Sequence, residues 1–131
     1  MRTIIGRFCL AGILGGAFLF GVSPQEKPIP TSPPSWRVPD SASSLKNPYA
    51  GQTNHIQAGE KLVGRYCASC HGRKSEGKGR APALLTDRIR KVHPGHLYWF
   101  IRNGNGKSGM PGWSRLPDQQ IWQIVTYLQN P

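Results

Sequence analysis

The chain has 131 residues, among them 16 glycines and 12 prolines, and its 17 basic and 6 acidic side chains give a formal net charge of +11. This length accommodates one small domain with extensions. The glycine and proline content excludes continuous regular structure over much of the chain.

Residues 1–23 are predicted to be an export signal or an N-terminal membrane anchor. Arg2 and Arg7 give this segment a positive start, and residues 8–22 are an uninterrupted run of 15 apolar and glycine residues. That length suits a signal peptide better than a membrane span, which needs about 20 residues. An uncleaved anchor stays open, because apolar residues also precede Arg7. Cys9 has no lipidation motif before it, and we expect no role for it in the mature protein.

The following segment is rich in proline, with seven of the twelve prolines between Pro24 and Pro48. Proline lacks a backbone donor and has a fixed φ, so residues 24–50 are predicted to form an extended linker. Residues 51–131 remain as the domain. A domain of about 80 residues is marginal for a core built from protein alone.

The most informative motif of the domain is Cys67-Ala68-Ser69-Cys70-His71. Two thiols three positions apart, followed directly by an imidazole, form the attachment pattern of a covalent c-type haem. Each cysteine adds to a haem vinyl group, and the histidine binds the iron. A buried haem would also supply the apolar surface that so small a domain lacks.

Helical spacing of apolar residues predicts three helices, over residues 55–66, 95–102 and 117–129, and no convincing strand. The first predicted helix leads directly into Cys67. Pro94 suits the start of the second helix. The apolar stripe of the third consists of Ile121, Ile124, Val125 and Leu128.

Met110 lies in a loop between the second and third predicted helices, flanked by Gly109 and Pro111. A methionine usually fills a core, but in this loop it has no helix face to fill. Its thioether could complete the coordination of the iron opposite His71. Such ligation raises the reduction potential and leaves no open site on the iron, which favours electron transfer over catalysis.

The motif on its own leaves alternatives open. A redox disulfide calls for a thioredoxin-like βαβ pattern, which the sequence does not show. A zinc site with two cysteines, His93 and His96 would leave His71 without a role. Either of those two histidines could also replace methionine on the iron, but both flank Pro94 at a helix start, where we expect surface or capping residues.

Taken together, residues 58–128 resemble the class I c-type cytochromes, whose all-α fold wraps three main helices around one covalent haem. Gly59 and Tyr127 resemble the residues at which the first and last helices of that family cross closely. Pro82 resembles the proline whose carbonyl accepts a hydrogen bond from Nδ1 of the proximal histidine. By the same resemblance, Leu84 would line the haem pocket.

The resemblance also implies the function. Cys67 and Cys70 would anchor the haem, with His71 and Met110 as the axial ligands of its iron. Residues 118–128 resemble the last helix of bacterial monohaem members, which include free carriers and cytochrome domains of periplasmic dehydrogenases and terminal oxidases. We therefore expect an electron carrier outside the cytoplasm, free or as a subunit of a respiratory or dehydrogenase complex, and not an enzyme in its own right.

The charge distribution concerns possible partners. Residues 50–131 carry twelve basic and four acidic side chains, and nine of these bases lie in residues 61–91. A basic rim around the haem would favour docking onto an acidic redox partner or an anionic membrane surface. A basic surface that contacts only solvent and binds no partner would explain these charges nearly as well. Nucleic acid is not an expected partner, because the export signal and the covalent haem argue against it.

Overall fold

The computed structural model describes residues 38–131, so the predicted export signal and most of the predicted linker lie outside the described residues. Its helices are α1 (Thr53–Tyr66), α2 (Ala68–His71), α3 (Asp87–Arg90), α4 (Pro94–Asn103) and α5 (Asp118–Gln129), with 3-10 turns at Asp40–Ser44 and Gly106–Ser108. Within residues 38–131 the only β features are two isolated bridges. The all-α prediction is thus confirmed. No helix in this range is long and apolar enough to cross a membrane.

The three predicted helices are α1, α4 and α5, each within two residues of its predicted bounds. Pro117 precedes α5 as its N-cap instead of occupying the first helical position. Sequence periodicity missed α2 and α3, because a helix of one turn has no repeating apolar face. The start of α3 is set by a cap, in which the Thr86 hydroxyl accepts a hydrogen bond from the Ile89 amide at 3.3 Å.

Helix α5 is the centre of the core and packs against α1, α3 and α4. Its predicted apolar stripe is buried, with Ile121 and Val125 fully inaccessible to solvent. From the neighbouring helices, Val63, Leu97 and Ile101 join the same cluster. The amphipathic pattern of α5 therefore fixes which of its faces points inward.

A glycine allows α1 and α5 to cross closely, as the resemblance predicted. A Cβ atom at Gly59 would overlap the carbonyl oxygen of Gln123 and would lie 2.8 Å from the Cβ of Tyr127. The backbones of the two helices are in direct contact there. This crossing fixes the orientation of α1 relative to α5. The last residue of α1, Tyr66, directly precedes Cys67.

The residues before α1 also lie against the helices. Ala42 is buried, and its carbonyl oxygen approaches α4 so closely that a Cβ atom at Gly95 would overlap it. The side-chain amide of Asn47 donates to the Thr126 hydroxyl at 2.9 Å, and the rings of Tyr49 and His55 stack at 4.0 Å. Residues 42–49 thus belong to the packed unit, while the extent of the linker stays a prediction.

Candidate cofactor site

The cysteine motif forms a single helical turn that continues from α1. The Cys67 amide donates to the Val63 carbonyl at 2.9 Å, and the Cys67 carbonyl in turn accepts from the amides of Cys70 at 3.2 Å and His71 at 2.9 Å. Cys67 is half-buried and Cys70 is exposed, whereas His71 is only 8% exposed. The turn thus holds one thiol at the surface, one thiol partly buried against the core and one imidazole directed into the protein.

The imidazole of His71 has a fixed partner. Its Nδ1 lies 2.7 Å from the carbonyl oxygen of Pro82. A carbonyl only accepts, so Nδ1 carries the proton and donates it. In the neutral imidazole, the other nitrogen, Nε2, is then the one whose lone pair can bind a metal ion.

The loop between the motif and α3 holds the Pro82 carbonyl in place. The Gly77 amide donates to the His71 carbonyl at 2.7 Å, and the Leu84 amide donates to the Ser75 carbonyl at 2.9 Å. Gly77 has a φ of +89°. A Cβ atom there would lie 3.1 Å from the carbonyl carbon of Pro82, so the loop needs a glycine at this position.

Met110 lies in a tight loop that packs on the C-terminal end of α4. Met110 and Asn105 exchange two backbone hydrogen bonds, of 2.9 and 3.0 Å. Gly104 ends α4 with a φ of +72°, and a Cβ atom there would lie 2.6 Å from the Met110 carbonyl oxygen. The loop therefore presents Met110, which is half-buried, from a defined backbone.

Two aromatic rings bring the motif and the methionine loop together. The ring centroids of Tyr66, the residue before Cys67, and of Trp113, three residues after Met110, lie 5.3 Å apart. Leu84 is half-buried and packs against the same hydrophobic core. Sequence reasoning assigned no role to Trp113, although an aromatic residue close to the lone methionine of the domain was a usable signal.

The histidines that could compete with this site have other partners. His93 caps α4, where its Nδ1 accepts a hydrogen bond from the Gly95 amide at 3.2 Å, as predicted. His96 lies 2.8 Å from the Ser43 hydroxyl through its Nε2. Within residues 38–131, no three side chains of His, Cys, Asp or Glu form a group that could hold a metal ion. The zinc alternative therefore lacks a ligand set in this range.

The Cys67 thiol does not have the low pKa of a redox-active nucleophile. Burial, with a further contribution from nearby Cys70, raises the pKa of the Cys67 thiol to about 11. A catalytic thiol instead has a pKa lowered well below its ordinary value, because the thiolate is the nucleophile. The donor set fits a haem c: two thiols on one turn, an imidazole with its tautomer fixed, and a thioether in a neighbouring loop.

The family described as cytochrome c oxidase, cbb3-type, subunit III matches residues 54–128. That is more than half of the chain, and the protein belongs to this family of class I c-type cytochromes. Among solved structures, cytochrome cL of Methylophaga aminisulfidivorans is 28% identical, with a TM-score of 0.52 over 61% of this chain and 55% of its own. Cytochrome cL of Hyphomicrobium denitrificans is 19% identical, with a TM-score of 0.51 over 70% of this chain and 61% of its own. This second match shows a likeness of fold.

A curated relative is the quinohemoprotein alcohol dehydrogenase ADH IIB of Pseudomonas putida, 28% identical over 102 residues. The match covers 75% of this chain but only 14% of that much longer protein. With the family established, residues 54–128 form a cytochrome c domain, of the kind that binds haem c covalently for electron transfer. The matched family is one of electron-carrying cytochromes.

Proposed function

We propose that Cys67 and Cys70 hold one haem c through thioether bonds, with His71 and Met110 as axial ligands, for electron transfer between redox proteins outside the cytoplasm. The observation that carries this proposal is the 2.7 Å contact between His71 Nδ1 and the Pro82 carbonyl, which leaves Nε2 as the metal-binding nitrogen. The haem, when bound, supplies the one-electron chemistry of its iron.

The remaining residues of the site tune that chemistry. The Pro82 carbonyl, by accepting a hydrogen bond from the Nδ1–H group, makes the imidazole of His71 a more basic ligand. Leu84 supplies apolar surface that limits the access of water, which affects the reduction potential. Met110 would supply its thioether as a second protein ligand beside His71, which would leave no coordination site for a substrate, in keeping with a carrier.

Partner recognition is proposed to depend on the basic residues around the motif. Five of them are exposed, namely Arg65, Arg73, Lys74, Lys78 and Arg80. The acid among them, Glu76, accepts a hydrogen bond from the Lys74 amide at 2.8 Å. The surplus of positive charge favours docking onto an acidic surface of a donor or acceptor.

The same proposal includes the molecular assembly and the cellular location of the carrier. The matches include an oxidase subunit family and a quinohemoprotein alcohol dehydrogenase. We infer that this chain acts either as a diffusing carrier or as the cytochrome subunit of a respiratory or dehydrogenase complex. Residues 1–23 would export the chain, and if they remain uncleaved they would anchor it to the membrane.

The proposal is tested with protein expressed together with haem-maturation machinery. The visible haem band should stay with the polypeptide through denaturing electrophoresis and should disappear when Cys67 and Cys70 are both changed to serine. In the oxidised protein, the weak near-infrared band of sulfur–iron ligation should be present in the wild type and absent in Met110→Ala. Loss of haem on denaturation would contradict covalent attachment through Cys67 and Cys70. Survival of the near-infrared band in Met110→Ala would contradict ligation of the iron by Met110.

A further inference from the structure

The rings of Tyr66 and Trp113 connect the cysteine motif with the methionine loop. Their centroids lie 5.3 Å apart and their planes are tilted by 52°, an arrangement that favours attraction between aromatic rings. Tyr66 ends α1 and directly precedes Cys67, while Trp113 follows Met110 by three residues. Each ring therefore lies close in sequence to a proposed haem-binding residue.

The backbone of Trp113 is held independently of its ring. Its amide donates to the Ile101 carbonyl at 3.0 Å, and its carbonyl accepts from the Leu116 amide at 2.9 Å. A Cβ atom at the preceding residue, Gly112, would lie 2.8 Å from the Asn103 carbonyl oxygen. The end of α4 thus fixes the point from which the Trp113 side chain extends.

The other contacts of the methionine loop, residues 104–113, give the loop its shape. The paired hydrogen bonds of Asn105 and Met110 close it on itself, and the close approaches at Gly104 and Gly112 seat it on α4. These contacts do not involve α1, which leads into the cysteines. The ring of Trp113 does reach α1, at its last residue.

We propose that Trp113 is a positioning residue: its ring contact with Tyr66 holds the methionine loop against the haem-attachment end of α1 and so keeps Met110 on the iron. The inference rests on the proposed ligation by Met110. Aromatic pairs of this kind change an equilibrium constant by roughly three- to tenfold. Loss of the Trp113 ring should therefore favour displacement of the methionine by about that ratio.

The test uses the full chain, matured with haem, in the ferric state. Imidazole competes with the methionine for the sixth position, so its apparent affinity reports how firmly Met110 is held. Trp113→Leu should bind imidazole roughly three- to tenfold more tightly than the wild type, with earlier loss of the near-infrared band. Trp113→Phe, which keeps a ring, should stay close to the wild type, and Tyr66→Leu should resemble Trp113→Leu.

A matched control comes from the second Tyr–Trp pair of the domain. Tyr98 and Trp122 stack at 4.3 Å between α4 and α5, so Trp122→Leu removes a comparable ring elsewhere. It should lower the temperature of unfolding without raising imidazole affinity as Trp113→Leu does. Equal affinity of Trp113→Leu and the wild type, or an equal rise in Trp122→Leu, overturns the inference. Absence of the near-infrared band from the wild type is a different result, because it refutes Met110 ligation and the inference with it.

Discussion

At the scale of single residues, the proposed iron ligand His71 depends on a partner outside the cysteine motif, the Pro82 carbonyl 2.7 Å from its Nδ1. Covalent attachment requires two cysteines and a histidine at a fixed spacing, so the sequence alone identifies Cys67, Cys70 and His71 as candidates. The roles of Gly77 and Trp113 depend on how loops lie against helices. Sequence patterns do not show that arrangement, although the aromatic residue near Met110 was a signal for Trp113 and the family resemblance did point to Pro82.

Gly77 offers a test of the hydrogen bond between His71 and Pro82. Gly77→Ala would bring a Cβ atom within 3.1 Å of the Pro82 carbonyl carbon and should displace its oxygen from Nδ1. A weaker bond makes the imidazole a less basic ligand, which destabilises the ferric state and raises the reduction potential. We expect a rise of tens of millivolts in a redox titration, where roughly 59 mV is a tenfold change for one electron.

The control for this prediction is Gly79→Ala. Gly79 also has a positive φ, of +59°, but a Cβ atom there would meet nothing within 4 Å. Both variants therefore carry backbone strain, while only Gly77→Ala crowds the carbonyl. Equal shifts of the potential in the two variants would show that strain in the loop, and not the bond to His71, is responsible.

At the scale of elements, the periodic apolar patterns predicted α1, α4 and α5 correctly, because each of these helices buries one long face. The short helices α2 and α3 were missed, and so was the packing of residues 42–49 on α4 and α5. Those contacts depend on close backbone approach at Gly95 and on single hydrogen bonds. Proline content, by contrast, indicated a linker for the whole of residues 24–50.

The crossing of α1 and α5 is tested by two glycines of the same helix. Gly59→Ala forces a Cβ atom into the Gln123 carbonyl, and overpacking of this kind costs about 1–3 kcal/mol of the free energy of unfolding. A Cβ atom at Gly64 would meet nothing within 4 Å. Because alanine favours a helix more than glycine does, Gly64→Ala should stabilise the protein by about 0.5–1 kcal/mol. Denaturant unfolding of the haem-loaded protein measures both. A neutral Gly59→Ala would mean that the helices do not touch at this point.

The contact between the 3-10 turn Asp40–Ser44 and α4 should weaken in acid. Burial, together with His93, lowers the pKa of His96, which is bonded to Ser43. A histidine with a lowered pKa contributes stability above its unfolded pKa of about 6.5, and this is lost as the pH falls through the folded pKa.

Hydrogen exchange of the Leu45 amide, which bonds to Ala42 at 3.2 Å, measures this contact. Exchange, corrected for its intrinsic pH dependence, should be faster relative to the core at pH 5 than at pH 8. In His96→Gln the difference should shrink. Unchanged protection of Leu45 in the wild type at both pH values would contradict the role of His96.

At the scale of the whole molecule, the fold is organised around α5, with the cysteine motif after α1 and the methionine loop after α4. The sequence predicted this order of elements from apolar periodicity, and it predicted the haem from the cysteine motif. The small size of the domain supports the haem, because about 80 residues need additional apolar surface. The sequence did not show how the methionine loop is joined to the motif, since Tyr66 and Trp113 are 47 positions apart.

The net charge of +11 is also a property of the whole molecule. If the basic residues around the motif steer docking, electron transfer to an acidic redox partner should slow steeply with ionic strength. Stopped-flow rates at low and high salt measure the effect, and charge reversal of Arg73 and Lys78 should reduce both the rate at low salt and its salt dependence. A rate independent of salt would leave the basic face without a role in docking.

The central claim, a single six-coordinate haem that serves electron transfer, is tested most directly by spectroelectrochemical titration of the haem-loaded full chain. We predict one reversible one-electron transition, with roughly 59 mV per tenfold change in the ratio of oxidised to reduced protein. The near-infrared sulfur–iron band should disappear along the same curve as the haem is reduced. An oxidised form that lacks this band, or a titration that needs two transitions, would contradict the account.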